Sequence, residues 1–258
     1  MLRLLFIAFC VFTSWACMAT EVRFCYEDKH APPFIHGAGQ TVPSANPGVT
    51  IQIVQQLDEH VKEVNFTYTR KPWSRCLHEL ENGKVDAVVA SHRASREEQM
   101  AYPKNPDGTI AQQYAINRIS TCLLKSKTNK ATLNLSKEIE LAVPRGYAIR
   151  ESMPKHFSIF ETDSLEHAIA LVENELLDAT IGLCQIGNMP ITLSPPFNHL
   201  EAVFPPIETS FGFMAFSEQF YQQHPELSWK VWRASQLINL DTLYSEYLRS
   251  QPSQMDKQ

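Results

Sequence analysis

The chain has 258 residues, of which 44% are hydrophobic and 20% charged, and its formal net charge is -5. That composition is ordinary for a folded globular protein and excludes a disordered chain, while the lack of any lysine- or arginine-rich block excludes a nucleic-acid footprint. The length exceeds the usual size of one core, which leaves one large domain or two lobes of about 100 to 130 residues.

Residues 1–19 read as a leader rather than as structure. Arg3 supplies a positive start, and Leu4 to Trp15 is apolar but too short to span a bilayer. Cys17-Met18-Ala19 places small residues where a signal peptidase reads, so cleavage after Ala19 is expected. Lipidation of Cys17 is the alternative, although Ser14 and Trp15 suit that signal poorly. Arg3 is the one charge in the leader, so its removal takes the net charge from -5 to -6. No later apolar stretch reaches membrane length, and the mature chain is expected to be soluble and periplasmic.

Glu21 to Tyr26 alternates as a first strand. Residues 37–48, rich in glycine and proline, read as a surface loop. Ile51, Val54, Leu57 and Val61 then recur at helical spacing, and Val64 to Thr69 alternates as a second strand. Pro72 suits a first helical turn and Ser74 its cap. Leu77 and Leu80 mark the apolar stripe of that helix, and Gly83 fits the left-handed position past its end. Val85 to Ala90 is a buried strand that runs into a polar loop carrying Arg93 and Arg96. This strand–helix alternation implies a parallel sheet with right-handed crossovers, and the loop delivers two guanidinium groups to the carboxyl end of a strand, where open α/β sheets bind ligands.

Farther on, Tyr114 to Leu124 reads as a strand crossing between lobes, and Glu140 to Val143 as another strand. Pro144 to Ala148 turns from it toward a helix start, where backbone N–H groups favour an anion. Asp163 and Glu166 have capping-box spacing for the helix of Ala168, Ile169, Val172 and Leu176. Asp178 to Cys184 echoes Asp86 to Val89 as a buried strand after a helix. The pairs Pro195-Pro196 and Pro205-Pro206 break the next stretch into loops and a short strand, and Phe211 to Phe216 returns the chain to its first half. Ser217 to Leu248 is helical, punctuated by Pro225, with Trp229, Trp232, Leu237, Leu240, Leu243 and Tyr247 on its packing side.

Three segments taken in order, Trp73-Ser74-Arg75-Cys76-Leu77, Gly83-Lys84-Val85-Asp86-Ala87 and Ala90-Ser91-His92-Arg93-Ala94-Ser95-Arg96-Glu97, resemble the first lobe of the extracellular solute-binding proteins of family 3. The match runs over roughly residues 21 to 250 and is densest between 22 and 103. It implies an α/β, two-lobed periplasmic binding protein of type II, each lobe a mixed, mostly parallel sheet flanked by helices. Lobe 1 would comprise residues 20–117 plus 214–258, and lobe 2 residues 118–213. It also implies a small polar ligand clamped between the lobes for import by an inner-membrane ABC permease, with no reaction and no cofactor. A receptor of the same fold that reports to a sensor kinase, or otherwise interacts without transport, is the alternative, and a monomer is expected.

On that resemblance Arg96 makes a two-pronged link to a ligand carboxylate, with Arg93 as the competing residue and Ser91 adding a hydroxyl. The other reading pairs Arg96 with Glu97 or Glu98 on a solvated helix start. Ala31-Pro32-Pro33-Phe34 resembles the first ligand loop of the family; Phe34 stacks on the ligand or is a core aromatic, and Tyr26 to Asp28 face the cleft. Trp73 walls the cleft or belongs to the core, and Arg75 faces the site or bridges to Asp86. Gly146 and Tyr147 of the second-lobe turn touch the carboxylate, or form an ordinary turn. The resemblance fails at one point. Receptors for amino acids present a second-lobe aspartate to the α-ammonium, whereas Leu183-Cys184-Gln185 holds no acid, unless Asp28 or Asp163 supplies that charge.

Cys25, Cys76, Cys122 and Cys184 remain after the leader, an even number in an oxidising compartment. Of three connectivities, Cys25–Cys76 with Cys122–Cys184 keeps each bridge inside one lobe and leaves a hinge free; buried free thiols are the alternative. Scattered histidines, of which His30 and His36 are the closest pair outside a helix, argue against a metal site. Ser152-Met153-Pro154-Lys155 matches the Ser-x-x-Lys of penicillin-interacting hydrolases, a remote alternative, because the partner motifs of that site do not follow it.

Overall fold

In the computed structural model the described residues are 19–31, 33–144, 153–191 and 198–250. Residues 1–18 of the leader, Gly146, Tyr147 and Ser152 lie outside them. Strand β1 (Thr20–Glu27) pairs in parallel with both β2 (Val64–Lys71) and β3 (Ala87–Ser91). Helices α1 (Val49–His60) and α2 (Trp73–Glu81) connect them, as the switch between period-2 and helical patterning predicts. Alternation along β1 sends Val22, Phe24 and Tyr26 to a core shared with α1, and Cys25 to a second core under α2 with Leu80, Val88 and Phe213. Gly83 takes φ 65° past the end of α2, as its position predicts.

The second half repeats this topology. Strand β5 (Ile139–Pro144) lies between β6 (Phe157–Thr162) and β7 (Ala179–Ile186), parallel to both, and α3 (Leu165–Glu173) joins β6 to β7. Two further cores cover its faces, one with Cys122, Ile169 and Cys184 and one with Leu123, Leu141 and Ile181. Strands β4 (Asn117–Ser126) and β9 (Leu200–Phe216) pair antiparallel and join the halves, giving the order β2-β1-β3-β9-β4-β7-β5-β6, with β8 (Met189–Pro190) on β7. Both disulfides form as expected, Cys25–Cys76 and Cys122–Cys184, one in each half.

Several local expectations are corrected. Ser74 lies inside α2, whose N-cap is Pro72 with no side-chain bond, because the proline already fixes the extended entry. Ser164, not Asp163, caps α3: its side chain accepts from the His167 N–H at 3.1 Å. Pro205-Pro206 does not end a strand. β9 runs through it, and the pairing with β4 jumps from Glu208 to Val203, so the stretch lacking N–H donors falls in an irregularity. The C-terminal helical stretch is three helices, α4 (Glu218–Gln223), α5 (Pro225–Ala234) and α6 (Leu240–Ser250): Pro225 starts α5, and a tight turn at Ser235–Leu237 followed by extended Ile238 separates α5 from α6.

Candidate functional site

At the carboxyl ends of β1 and β3, where the strand order reverses around β1, the sheet opens into a cleft of about 280 Å³. Its floor is one face of the sheet. Phe24 registers with Ala87, Ser91 with Gly212, and Gly212 with Asn117, so alternation turns Tyr26, Val89, Ser91 and Asn117 to the same side. Phe34 and Ile35 of the loop after β1, Thr50 at the start of α1 and Trp73 at the start of α2 form the walls, and Arg93 and Arg96 the rim.

The structure therefore gathers Tyr26, Phe34, Trp73, Ser91, Arg93 and Arg96 around one space. Arg96 is half-buried, and its Nη1 donates to the Ser91 carbonyl at 3.1 Å, the same oxygen that takes the Tyr102 hydroxyl at 3.2 Å. Burial pushes the Tyr102 phenol up to about 12, against the opposing charge of Arg96. The carboxylate beside Arg96, Glu97, is engaged by Lys104 and His92, both at 2.7 Å, which hold it below the usual range. Among the described residues neither Glu97 nor Glu98 pairs with Arg96, and the solvated-pair reading is set aside.

Two predicted residues lie elsewhere. Arg75 Nε bonds Glu79 Oε1 at 2.7 Å one turn along α2, and Lys71 holds the other oxygen of Glu79 at 2.5 Å. Arg75 does not reach Asp86, which Arg23 grips with two bonds of 2.6 and 2.7 Å. The Asp28 backbone ties the loop down, its N–H donating to Lys71 and its carbonyl accepting from Gly39, and its side chain is not among those that line the cleft. Glu27 is the carboxylate that does, with Lys29 Nζ 3.9 Å away. Asp163 does not line it either.

Sequence reasoning took Val89 and Ala90 only as a buried strand, and it missed Thr50, Asn117 and Ile119 of the lining altogether. A signal existed for Asn117, since asparagine is disfavoured in a strand and a glycine between Phe211 and Phe213 marks a close approach. A second cavity, about 240 Å³, adjoins Arg118, the turn at Gly187 and the start of α6. Its Arg118 already donates to the Gly187 carbonyl at 2.6 Å and to Asn188, and none of the predicted site residues border it. Among the described residues no group of three or more metal-binding side chains occurs, and no helix is long and apolar enough to cross a membrane.

No family model and no curated protein matches the chain. Solved structures do. The probable amino-acid ABC transporter extracellular-binding protein YtmK of Bacillus subtilis is similar with a TM-score of 0.66, at 13% identity over 90% of this chain and 99% of that one. A histidine kinase sensor domain with similarity to periplasmic binding proteins gives 0.56 at 13% identity, over 90% and 97% of the two chains. The ancestral amino-acid-binding protein AncCDT-1, a precursor of cyclohexadienyl dehydratase, gives 0.53 at 16%, over 88% and 95%. At these identities the likeness is one of architecture. This chain has the two-lobed fold of the periplasmic binding proteins, as the motifs between residues 70 and 98 implied.

Proposed function

We propose that this chain is an exported solute-binding receptor that holds a small, carboxylate-bearing polar ligand between two lobes, residues 20–117 plus 214–258 and residues 118–213. The observation that carries the proposal is the pairing, in one cleft, of the Arg96 and Arg93 guanidinium groups with the aromatic walls Trp73 and Phe34. A planar guanidinium matches a carboxylate with two parallel bonds, and Arg96 is already oriented from behind by the Ser91 carbonyl. Between Arg96 and Arg93, this restraint favours Arg96. Closure would bend β4 and β9, the two strands that join the halves, so ligand binding shifts an open–closed equilibrium. Gly146 and Tyr147 remain the proposed second-lobe contribution.

Delivery to an ABC permease fits the neighbours that are amino-acid transport receptors, and two disulfides in one short chain fit an oxidising, extracytoplasmic compartment. The sensor-domain neighbour favours a second reading, the same clamp reporting to a kinase. In either reading the chain binds and does not catalyse.

A thermal-shift panel of amino acids, small carboxylates, polyamines and short sugars on residues 20–258 tests the proposal. A ligand at a hundred times its dissociation constant adds about 2.7 kcal/mol of stability. The hit is expected among carboxylates, and Arg96→Ala is expected to weaken it by about 2 to 4 kcal/mol, roughly 30- to 1000-fold. A carboxylate hit that survives Arg96→Ala at full affinity would move the anion site away from Arg96.

A further inference from the structure

We propose that the cleft reads the second polar group of its ligand as a neutral one, a carboxamide or hydroxyl that both gives and takes a hydrogen bond, through Asn117 and the Tyr26 hydroxyl. The inference rests on the carboxylate-receptor reading above and adds the end of the ligand that Arg96 does not hold.

Its starting point is a pair of orphaned atoms. Asn117 Oδ1 and the Tyr26 hydroxyl are buried and find no hydrogen-bond partner among the described residues, although both residues line the cleft. Tyr26 is 3% exposed and Asn117 8%. Buried polar groups are nearly always paired, and leaving one unpaired is destabilising. Two such atoms in the same small cleft mark where an incoming group completes the bonding. One is a donor and the other an acceptor, a combination that suits a neutral amide or hydroxyl.

Backbone register aims the asparagine. Gly212 sits between Ser91 of β3 and Asn117 of β4 in the sheet. A Cβ at Gly212 would stand 2.2 Å from Asn117 Oδ1 and 2.8 Å from its Nδ2. The amide therefore lies over the bare backbone of β9, toward the Ser91 and Arg96 side, and the space that admits it exists because residue 212 has no side chain. On the opposite side Arg70, itself buried, places its guanidinium 5.2 Å from the centre of the Tyr26 ring and anchors in the carbonyls of Gly37 and Thr41. The ring is fixed from behind. Burial holds the Tyr26 phenol in its neutral, donating form, with Arg70 opposing.

The same frame disfavours charge at that end. A second carboxylate would meet the Asn117 oxygen and share the cleft with Glu27. Among the described residues Glu27 is the acid that lines the cleft, and the stretch Leu183-Cys184-Gln185 of the second half offers none, with Gln185 donating to the Gly187 carbonyl at 3.0 Å. Glu27 is the competing partner for a cation, and the test includes it.

The test uses three near-isosteric chains that share one carboxylate: glutaramate with a neutral amide end, glutarate with an anionic end and 5-aminopentanoate with a cationic end. Calorimetric titration of residues 20–258 is expected to rank glutaramate at least tenfold above the other two. Tyr26→Phe, which removes one oxygen and keeps the ring, is expected to lose about tenfold for glutaramate and little for glutarate. Asn117→Asp is expected to turn the preference to 5-aminopentanoate, and Gly212→Ala to weaken glutaramate with the circular dichroism spectrum unchanged. Carboxylates that bind through Arg96 whatever their other end overturn the inference and leave the receptor reading standing. So does a wild-type preference for 5-aminopentanoate that Glu27→Gln abolishes. Silence of every carboxylate overturns the receptor reading, and this inference with it.

Discussion

Trp232→Ala is expected to lower the unfolding free energy by about 4 kcal/mol or more. Trp232 is 1% exposed in α5, and its ring packs between Phe216, Tyr221 and Trp229, with centroids 5.1 to 5.6 Å away. Truncation leaves a void that α5 and β9 cannot both close, because each is fixed by its own backbone bonds. It also removes the bond from Nε1 to the Met214 carbonyl, 2.8 Å, at a buried point of the sheet. Against a usual total of about 5 to 15 kcal/mol, that is a large fraction. Urea unfolding followed by fluorescence and circular dichroism measures it, with Leu237→Ala, at a site 68% exposed, as the control expected to stay within about 0.5 kcal/mol. A loss below about 1.5 kcal/mol in Trp232→Ala would mean that this core is not packed as described.

Replacing Cys25 and Cys76 together by alanine is expected to remove about 4 kcal/mol, and the Cys122 and Cys184 pair a similar amount, since the bridges close loops of 51 and 62 residues and chain entropy grows only slowly with loop length. The two losses should separate in their effect on the cleft. Cys25 precedes Tyr26 in β1, and Cys76 lies one turn after Trp73 in α2, so the first bridge ties a floor residue to a wall residue. Ligand affinity is expected to fall several-fold with that pair and to change little with the other. Urea midpoints and calorimetry on both double variants decide it. Equal loss of affinity in the two would show that stability, not local anchoring, governs binding.

Much of this architecture was written locally. β1, α1, β2, α2 and β3 follow from the alternation of Val22, Phe24 and Tyr26, the helical spacing of Ile51, Val54 and Leu57, and the apolar run before Ser91, signals that need no distant partner. The misses had competing local chemistry. Asp163 and Ser164 are adjacent, both suitable caps, and the extended backbone of Ser164 decides between them. Pro205-Pro206 reads as a break until the irregular pairing of β9 with β4 absorbs it. At the site, the loop motif carried Ser91, Arg93 and Arg96 together into the cleft. Arg75 escaped because Glu79, four residues on, outcompeted any more distant partner. Asn117 escaped for a different reason: an asparagine in a strand and a glycine between two phenylalanines are each weak signals, and only the pairing of β4 with β9 brings the two face to face.

The direction of β1 also fixes how the molecule presents itself when tethered. Its first residue, Thr20, and the cleft residue Tyr26 lie at opposite ends of one extended strand, roughly 20 Å apart at the usual rise per residue. Anything attached ahead of Thr20, whether a lipid, a surface linker or a fusion partner, therefore joins the end of the strand remote from Arg96 and Asn117. A chain immobilised by that end keeps its opening turned away from the support, so a sensor surface or an affinity resin made in this way leaves the mouth of the cleft open to solution.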